Sequence, residues 1–206
     1  MSGTGEVPAA IQAVDRISPG TAESLRLAAL LAQAFRGDAH IDWLLRPGAH
    51  LEAPRTALFT QLVEHLGADL YATRDRQAAA LWYPPAVGPG WRQQGAFFMA
   101  LLGIAGPVRA LLRGLDLKRM EGRHPASPHF HLVLLGTDAG HRRGGRASAL
   151  LRRLLDQAGE CGKGVYLETS SLENVAFYRR HGFSRQADTP LSGGLVLHSM
   201  IWEPAR

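Results

Sequence analysis

The stretch GHRRGGRASALLRRLL, Gly140 to Leu155, decides how the rest of the chain is read. A loop of glycine and arginine, Arg142 to Arg146, runs directly into apolar residues at helical spacing. The first turn of a helix has unpaired N–H groups and the positive end of the helix dipole, so it favours an anion. Gly144 and Gly145 remove side chains that would hold a phosphate away from the backbone, small Ala147 and Ser148 leave room beside it, and the arginines add charge. The same residues also suit a plain helix start with a basic solvated face. Neither G-x-x-x-x-G-K-[ST] nor G-x-G-x-x-G occurs, so a P-loop and a dinucleotide fold are excluded.

Working outward, HFHLVLLGT (129–137) reads as a buried strand that enters this loop through the turn Asp138-Ala139-Gly140. Downstream, the helix ends at glycine, VYLETS (165–170) is a strand, LENVAFYRRHG (172–182) a short helix with Gly182 after its end, and GLVLHSMIWEP (194–204) a last strand. Upstream, a first strand is expected around Ile11 to Ile17. It leads into an amphipathic helix capped at Thr21, with Leu25, Leu27, Ala28, Leu31, Ala34 and Phe35 at apolar positions. The short apolar patch IDWLL follows, and then a helix from about Ala53 to Leu66. Asp69 to Thr73 and Gln77 to Tyr83 form a hairpin closed by Pro84-Pro85. Gly90 to about Leu117 is helical, broken at Gly106-Pro107, and a basic irregular stretch runs on to Pro128. Strands alternating with helices imply an α/β sheet with at least one parallel pair.

The composition fits one folded domain of 206 residues, with 46% hydrophobic and 20% charged residues. The net charge is +5, and all but two of the 23 basic residues are arginine, the better fork for phosphate. Those arginines are scattered along the chain with no DNA-binding motif, so nucleic acid is not the expected partner. Cys161, the one cysteine, has no disulfide partner, and MSGTGEVPAAIQAVDR has no signal-peptide pattern; a cytoplasmic location is expected. Gly95 to Val108 is apolar for 14 residues, short of the roughly 20 that span a bilayer, so no membrane helix is expected.

RRGGRA, Arg142 to Ala147, with the strand before it and the helix after it, resembles the Q/R-x-x-G-x-G/A loop of the GNAT superfamily of acyl-CoA-dependent N-acyltransferases. YLETSSLENVAFYRRHGF (166–183) resembles the family's strand 5, its following helix and the turn into strand 6, with Asn174, Tyr178 and the HGF sequence in place. The resemblance runs well from about Asp69 to Glu203 and loosely over the N-terminal third. With ALWYPP (80–85) it is most similar to the bacterial group that includes puromycin N-acetyltransferase. Arg142 stands where glutamine is common, Ala147 where glycine is common, and Phe130-His131 where relatives carry an aromatic pair after a strand-4 histidine.

The resemblance implies a GNAT fold: a mixed central sheet with splayed parallel strands 4 and 5, flanked by helices, in a single domain 1–206 with a helical insertion at about 87–127 between strands 3 and 4. It implies acetyl-CoA as cosubstrate, its pantetheine arm pairing with the backbone of Leu135, Gly136 and Thr137. The pyrophosphate would lie on the loop Arg142, Arg143, Gly144, Gly145, Arg146, Ala147 and Ser148, and Asn174 would bond the pantetheine amides. Tyr178 is expected beside the cofactor as the acid for the departing thiolate, since a phenol with pKa near 10 stays protonated at neutral pH.

The amine's proton has three candidate acceptors. His129 and His131 share one face by two-residue alternation, and Glu168 sits on the next strand. As a zinc set, His124, His129 and His131 lack a fourth ligand, and no metal is expected. The expected reaction moves acetyl from acetyl-CoA to a primary amine of a small molecule by direct attack in a ternary complex, the apolar segment Trp91 to Leu112 helping to wall the acceptor pocket. A non-catalytic acyl-CoA sensor and a protein lysine or N-terminal acetyltransferase on the same fold are the alternatives, and a homodimer is compatible with either.

Overall fold

The computed structural model describes residues 13–45, 51–85, 87–88 and 90–205. Its strands are β1 (Val14–Ile17), β2 (Asp69–Thr73), β3 (Ala78–Tyr83), β4 (Phe130–Thr137), β5 (Val165–Thr169), β6 (Ser184–Pro190) and β7 (Val196–Trp202). Its helices are α1 (Ala22–Ala34), α2 (Ala39–Leu44), α3 (Glu52–His65), α4 (Trp91–Ala105), α5 (Pro107–Glu121), α6 (Arg146–Glu160) and α7 (Leu172–Arg179). The seven strands form one sheet in the order β1-β2-β3-β4-β5-β7-β6. β4 and β5 are its parallel pair; every other pairing is antiparallel.

Most elements lie where the sequence places them, and the differences have local causes. The first strand begins at Val14, and the expected Ile11–Gln12 portion lies outside the described residues. The IDWLL patch forms helix α2, because the Asp38 carboxylate accepts from the N–H groups of His40 and Ile41, both at 3.0 Å, and caps it. β3 starts one residue late, since the Gln77 N–H is bound by Asp75 within the hairpin turn. α5 runs four residues past Leu117, to Glu121. The Thr21 cap is a full capping box with Ser24.

Two cores sandwich the sheet. On one face α1, α2 and α3 bury Leu27, Leu31, Ile41, Leu58 and Phe59 against Leu81 and Leu134. On the other, α6 and α7 bury Leu150, Leu154, Val175 and Tyr178 against Trp82, Leu132, Val165 and Leu167. Each large side chain removed from water there contributes about 1.5–3 kcal/mol, which is why α6 keeps its leucines on one stripe. At Gly136 a Cβ would stand 2.8 Å from Leu31 Cδ2 and 3.1 Å from Ala34 Cβ, so the glycine lets α1 lie close on β4.

Candidate active site

The site begins with an interruption of the sheet. β4 pairs with β5 only over Phe130–Leu132 against Val165–Leu167; beyond that β5 continues into Glu168 and Thr169 with β7 alone as its neighbour. The cause is a bulge in β4. Its register against β3 passes from Leu81↔Leu134 to Trp82↔Leu132, leaving Val133 as the extra residue, and Val133 and Leu134 both pack toward the α1–α3 core. A bulge bends its strand and sharpens the twist, which carries β4 away from β5.

Backbone alternation then fixes what faces the gap. The Asp138 N–H donates to Gln77 O at 2.8 Å, so Asp138, and with it Gly136 and Leu134, point their peptide groups at β3. The N–H and C=O groups of Leu135 and Thr137 point the other way, where β5 no longer pairs. Of the three residues expected to meet an extended ligand, Leu135 and Thr137 offer free backbone. Gly136 faces β3 and α1 instead.

The gap leads to the start of α6. Asp138 accepts from the Gly140 N–H at 3.0 Å and from His141 Nδ1 at 2.8 Å, folding a short 3-10 turn, Ala139–His141. The chain then takes two left-handed residues, Arg143 with φ 62° and Gly145 with φ 81°, and enters the helix. Such a conformation costs a non-glycine residue about 1–2 kcal/mol, so the loop at Arg143 is held by its surroundings. The first N–H groups of α6 have no carbonyl within the helix to bond.

The arginines of this loop have unequal roles. Arg146 places Nε and Nη2 each 2.7 Å from Asp75 Oδ2 and Nη1 3.3 Å from His141 O. Arg142 Nη2 donates to Ala34 O at 2.9 Å, at the end of α1. These two guanidinium groups brace the loop against Ala34 O, Asp75 and His141 O. A Cβ on Gly144 would come 2.6 Å from Arg146 Nη1, so a side chain there would displace that end of the guanidinium from His141 O. Ser148 meets His181 Nε2 at 3.1 Å, while His181 Nδ1 lies 2.9 Å from Phe177 O. A carbonyl only accepts, so Nδ1 carries the proton and the Ser148 hydroxyl donates to Nε2.

α7 stands over the parted strands. Ser171 caps it by accepting from the Asn174 N–H, and Asn174 Nδ2 donates to Thr169 Oγ1 at 3.3 Å, which leaves the Asn174 side-chain oxygen without a partner among the described residues. Tyr178, one turn on, is buried between Phe177 and Phe183, and its hydroxyl makes no hydrogen bond among the described residues. Burial pushes this phenol well above 10, so it keeps its proton at any working pH.

Glu168 lies on the opposite face of β5, since its neighbours Leu167 and Thr169 turn toward α6 and α7. It accepts from Tyr166 Oη at 3.0 Å. Burial raises its pKa to about 7 against the opposing effect of that hydrogen bond. His131 pairs directly with Tyr166 across β4 and β5, and burial lowers it to about 3, the nearby histidines adding to the shift. His129, just before β4, points Nδ1 at Ser127 O, 2.8 Å away.

Sequence reasoning missed Tyr166 and Asp75, and it weighed His124 only as a zinc ligand. His124, in the segment after α5, packs 4.5 Å from both His131 and Tyr166 by ring centroids and is lowered by burial to about 4. Tyr166 was open to detection by alternation from Glu168. His124 and Asp75 reach the site only through the fold, 44 and 93 residues from Glu168.

A seven-stranded mixed sheet whose parallel pair parts beside a glycine-rich helix start defines the N-acetyltransferase fold. The chain belongs to the acetyltransferase (GNAT) family, whose model matches residues 61–183. Among solved structures it is similar to a histone acetyltransferase HPA2 and related acetyltransferase from Corynebacterium glutamicum, with 23% identity, 94% of this chain and 96% of that one covered, and a TM-score of 0.72. An N-acetyltransferase from Staphylococcus aureus is similar over 92% of this chain and 99% of its own, at 13% identity and a TM-score of 0.55. A NatC complex bound to Gag peptide and CoA is similar over 94% and 98%, at 12% identity and a TM-score of 0.51. The family indicates acyl-CoA-dependent N-acetyltransferase activity. Among the described residues no helix is long and apolar enough to cross a membrane.

Proposed function

We propose that this protein transfers the acetyl group of acetyl-CoA to a primary amine of a small molecule, by direct attack within a ternary complex. The observation that carries the reading is the parting of β4 from β5 after Leu132 and Leu167, with the free backbone of Leu135 and Thr137 facing a gap that ends on the N–H groups of α6. The pantetheine arm lies along Leu135–Thr137 as a replacement strand, and the pyrophosphate rests on the amides of Arg143 to Ser148. Asn174 receives a pantetheine amide on its free oxygen.

The chemistry divides between the two faces of the sheet. Tyr178, protonated and buried on the α7 side, gives its proton to the departing thiolate. Glu168, on the other face, takes the proton of the attacking amine, and its second carboxylate oxygen has no hydrogen bond among the described residues. His131 and His129 flank it and orient the acceptor; each stands in for the base where the amine's proton leaves toward β4. A backbone N–H near Leu135 stabilises the oxyanion. The helical insertion bounds this side: Arg113 and Asp116 of α5 bind Ser192 in the β6–β7 turn, and the returning segment delivers His124 to Glu168. That boundary on one side favours a small amine over a protein tail.

The test is thiol release from acetyl-CoA with a panel of amphiphilic primary amines beside lysine-bearing and N-terminal peptides. Turnover with the small amines alone supports the reading. Turnover with peptides alone overturns the substrate class, and CoA binding without turnover in any mixture identifies an acyl-CoA sensor.

A further inference from the structure

His124, His131 and Glu168 come from three separate elements, and each offers a ligand atom within 4.8 Å of the others. Neither ring nitrogen of His131 has a hydrogen-bond partner among the described residues, and Glu168 uses one oxygen, toward Tyr166. The tautomer of His124 is set by a chain of two contacts. His129 Nδ1 faces Ser127 O, so it carries a proton and its Nε2 presents a lone pair. That lone pair lies 3.3 Å from His124 Nδ1, which must then be the donor, and His124 Nε2 is left as a free acceptor. An outer partner that fixes ring orientation and tautomer is what a metal-ligating histidine needs.

We propose that His124, His131 and Glu168 form a binding site for a divalent transition metal of the Zn²⁺ class, with a fourth position open toward the acceptor side of the site. Two imidazoles and one carboxylate suit Zn²⁺ and its first-row neighbours, and do not suit Ca²⁺ or Mg²⁺, which take oxygen ligands. Bonds of about 2.0–2.1 Å in a tetrahedron hold ligand atoms about 3.3 Å apart, so atoms now within 4.8 Å of one another close by at most about 1.5 Å on binding. The sequence expectation of no metal considered the histidines alone; Glu168 is the ligand that the fold adds. On the reading that Glu168 is the base, an ion here occupies the lone pair that would accept the amine's proton, and acetyl transfer stops while acetyl-CoA still binds.

Co²⁺ titrated into chelator-treated full-length protein tests the site through the visible d–d absorption of the four-coordinate ion, followed by displacement with Zn²⁺. The absorption is expected in the native protein and in a His65→Ala control, and absent in Glu168→Gln, which keeps the side-chain volume, and in His124→Ala. His129→Ala is expected to weaken binding by about tenfold or more, since it removes the group that orients His124. No four-coordinate spectrum at millimolar Co²⁺, or the same spectrum and affinity in Glu168→Gln and His124→Ala, overturns the site. These spectra are independent of turnover. If they appear as expected but Zn²⁺ leaves thiol release unchanged, the metal site stands and the role of Glu168 as base falls.

Discussion

Arg146, the first residue of α6, holds Asp75 of the β2–β3 turn through two guanidinium nitrogens at 2.7 Å, and this pair ties the glycine-rich loop before α6 to that hairpin. Asp75 also accepts from Thr73 Oγ1 at 2.7 Å and from the Gln77 N–H at 3.2 Å. Burial works to raise its pKa, but the hydrogen bonds from Thr73, Arg146 and Gln77 outweigh it and hold the carboxyl below its ordinary 3.8. A depressed carboxylate stabilises the fold above its unfolded pKa, and that contribution is lost as the pH falls through the folded value.

Asp75→Asn should therefore cost about 1–3 kcal/mol at neutral pH, a fall in Tm of about 2–10 °C, and weaken acetyl-CoA binding through the loosened loop. The gap in Tm between native and variant protein should narrow as the pH drops below about 4. Thermal unfolding across pH, with and without acetyl-CoA, checks both. An unchanged Tm at neutral pH would show that Arg146 is braced by His141 O and the loop backbone alone.

Gly145→Glu puts a side chain at a left-handed residue and an anion where the pyrophosphate should rest. Strain alone is worth about 1–2 kcal/mol, small beside the stability of a domain this size. Acetyl-CoA affinity, in contrast, should fall by about 100-fold or more, equivalent to about 2.7 kcal/mol. Calorimetric titration with circular dichroism as the fold control decides it. Native affinity in the folded variant would remove the start of α6 from the cofactor site.

The strand-loop-helix unit around Gly140–Leu155 is legible because periodicity, capping and glycine placement are local, and they agree with one another there. α2 is not: IDWL has no helix period of its own, and it turns helical because Asp38 caps it and Trp43 and Ile41 are buried by distant elements. β6 is equally silent, since SRQADTP is an exposed edge strand with no apolar alternation. At the candidate site, residues on sequence-adjacent elements were proposed from resemblance and alternation. The tasks of Arg142 and Arg146 were not, because a guanidinium that reaches Ala34 or Asp75 looks in sequence like one that awaits phosphate.

Glu168 sets the acid limb of the pH profile if it is the base. Its raised pKa of about 7 means that the carboxyl is neutral and inactive at lower pH and becomes a proton acceptor as pH rises through that value. In chelator-treated protein kcat/KM should climb tenfold per pH unit below about 7 and level off above it. Tyr166→Phe removes a hydrogen bond that favours the charged form, so the limb should move to higher pH. Glu168→Gln should lose the limb and about 10²–10⁴ of the rate. A profile unchanged in both variants would take the base role away from Glu168.

Tyr178→Phe separates the two jobs that converge on α7. The phenol is buried among Phe177, Phe183 and the leucines of α6, so phenylalanine keeps the packing and loses the hydroxyl alone. With no hydrogen bond to that hydroxyl among the described residues, stability should change by well under about 1 kcal/mol. The departing thiolate, however, loses its proton donor at the step where charge develops. Single-turnover acetyl transfer should slow by about 10²–10⁴, while calorimetric affinity for acetyl-CoA stays within about threefold. Because burial holds the native phenol protonated, its loss should leave the acid limb at pH 7 in place, which distinguishes it from loss of Glu168. Equal turnover in the variant would make Tyr178 a core residue and leave the thiolate to be protonated by water entering the gap between β4 and β5.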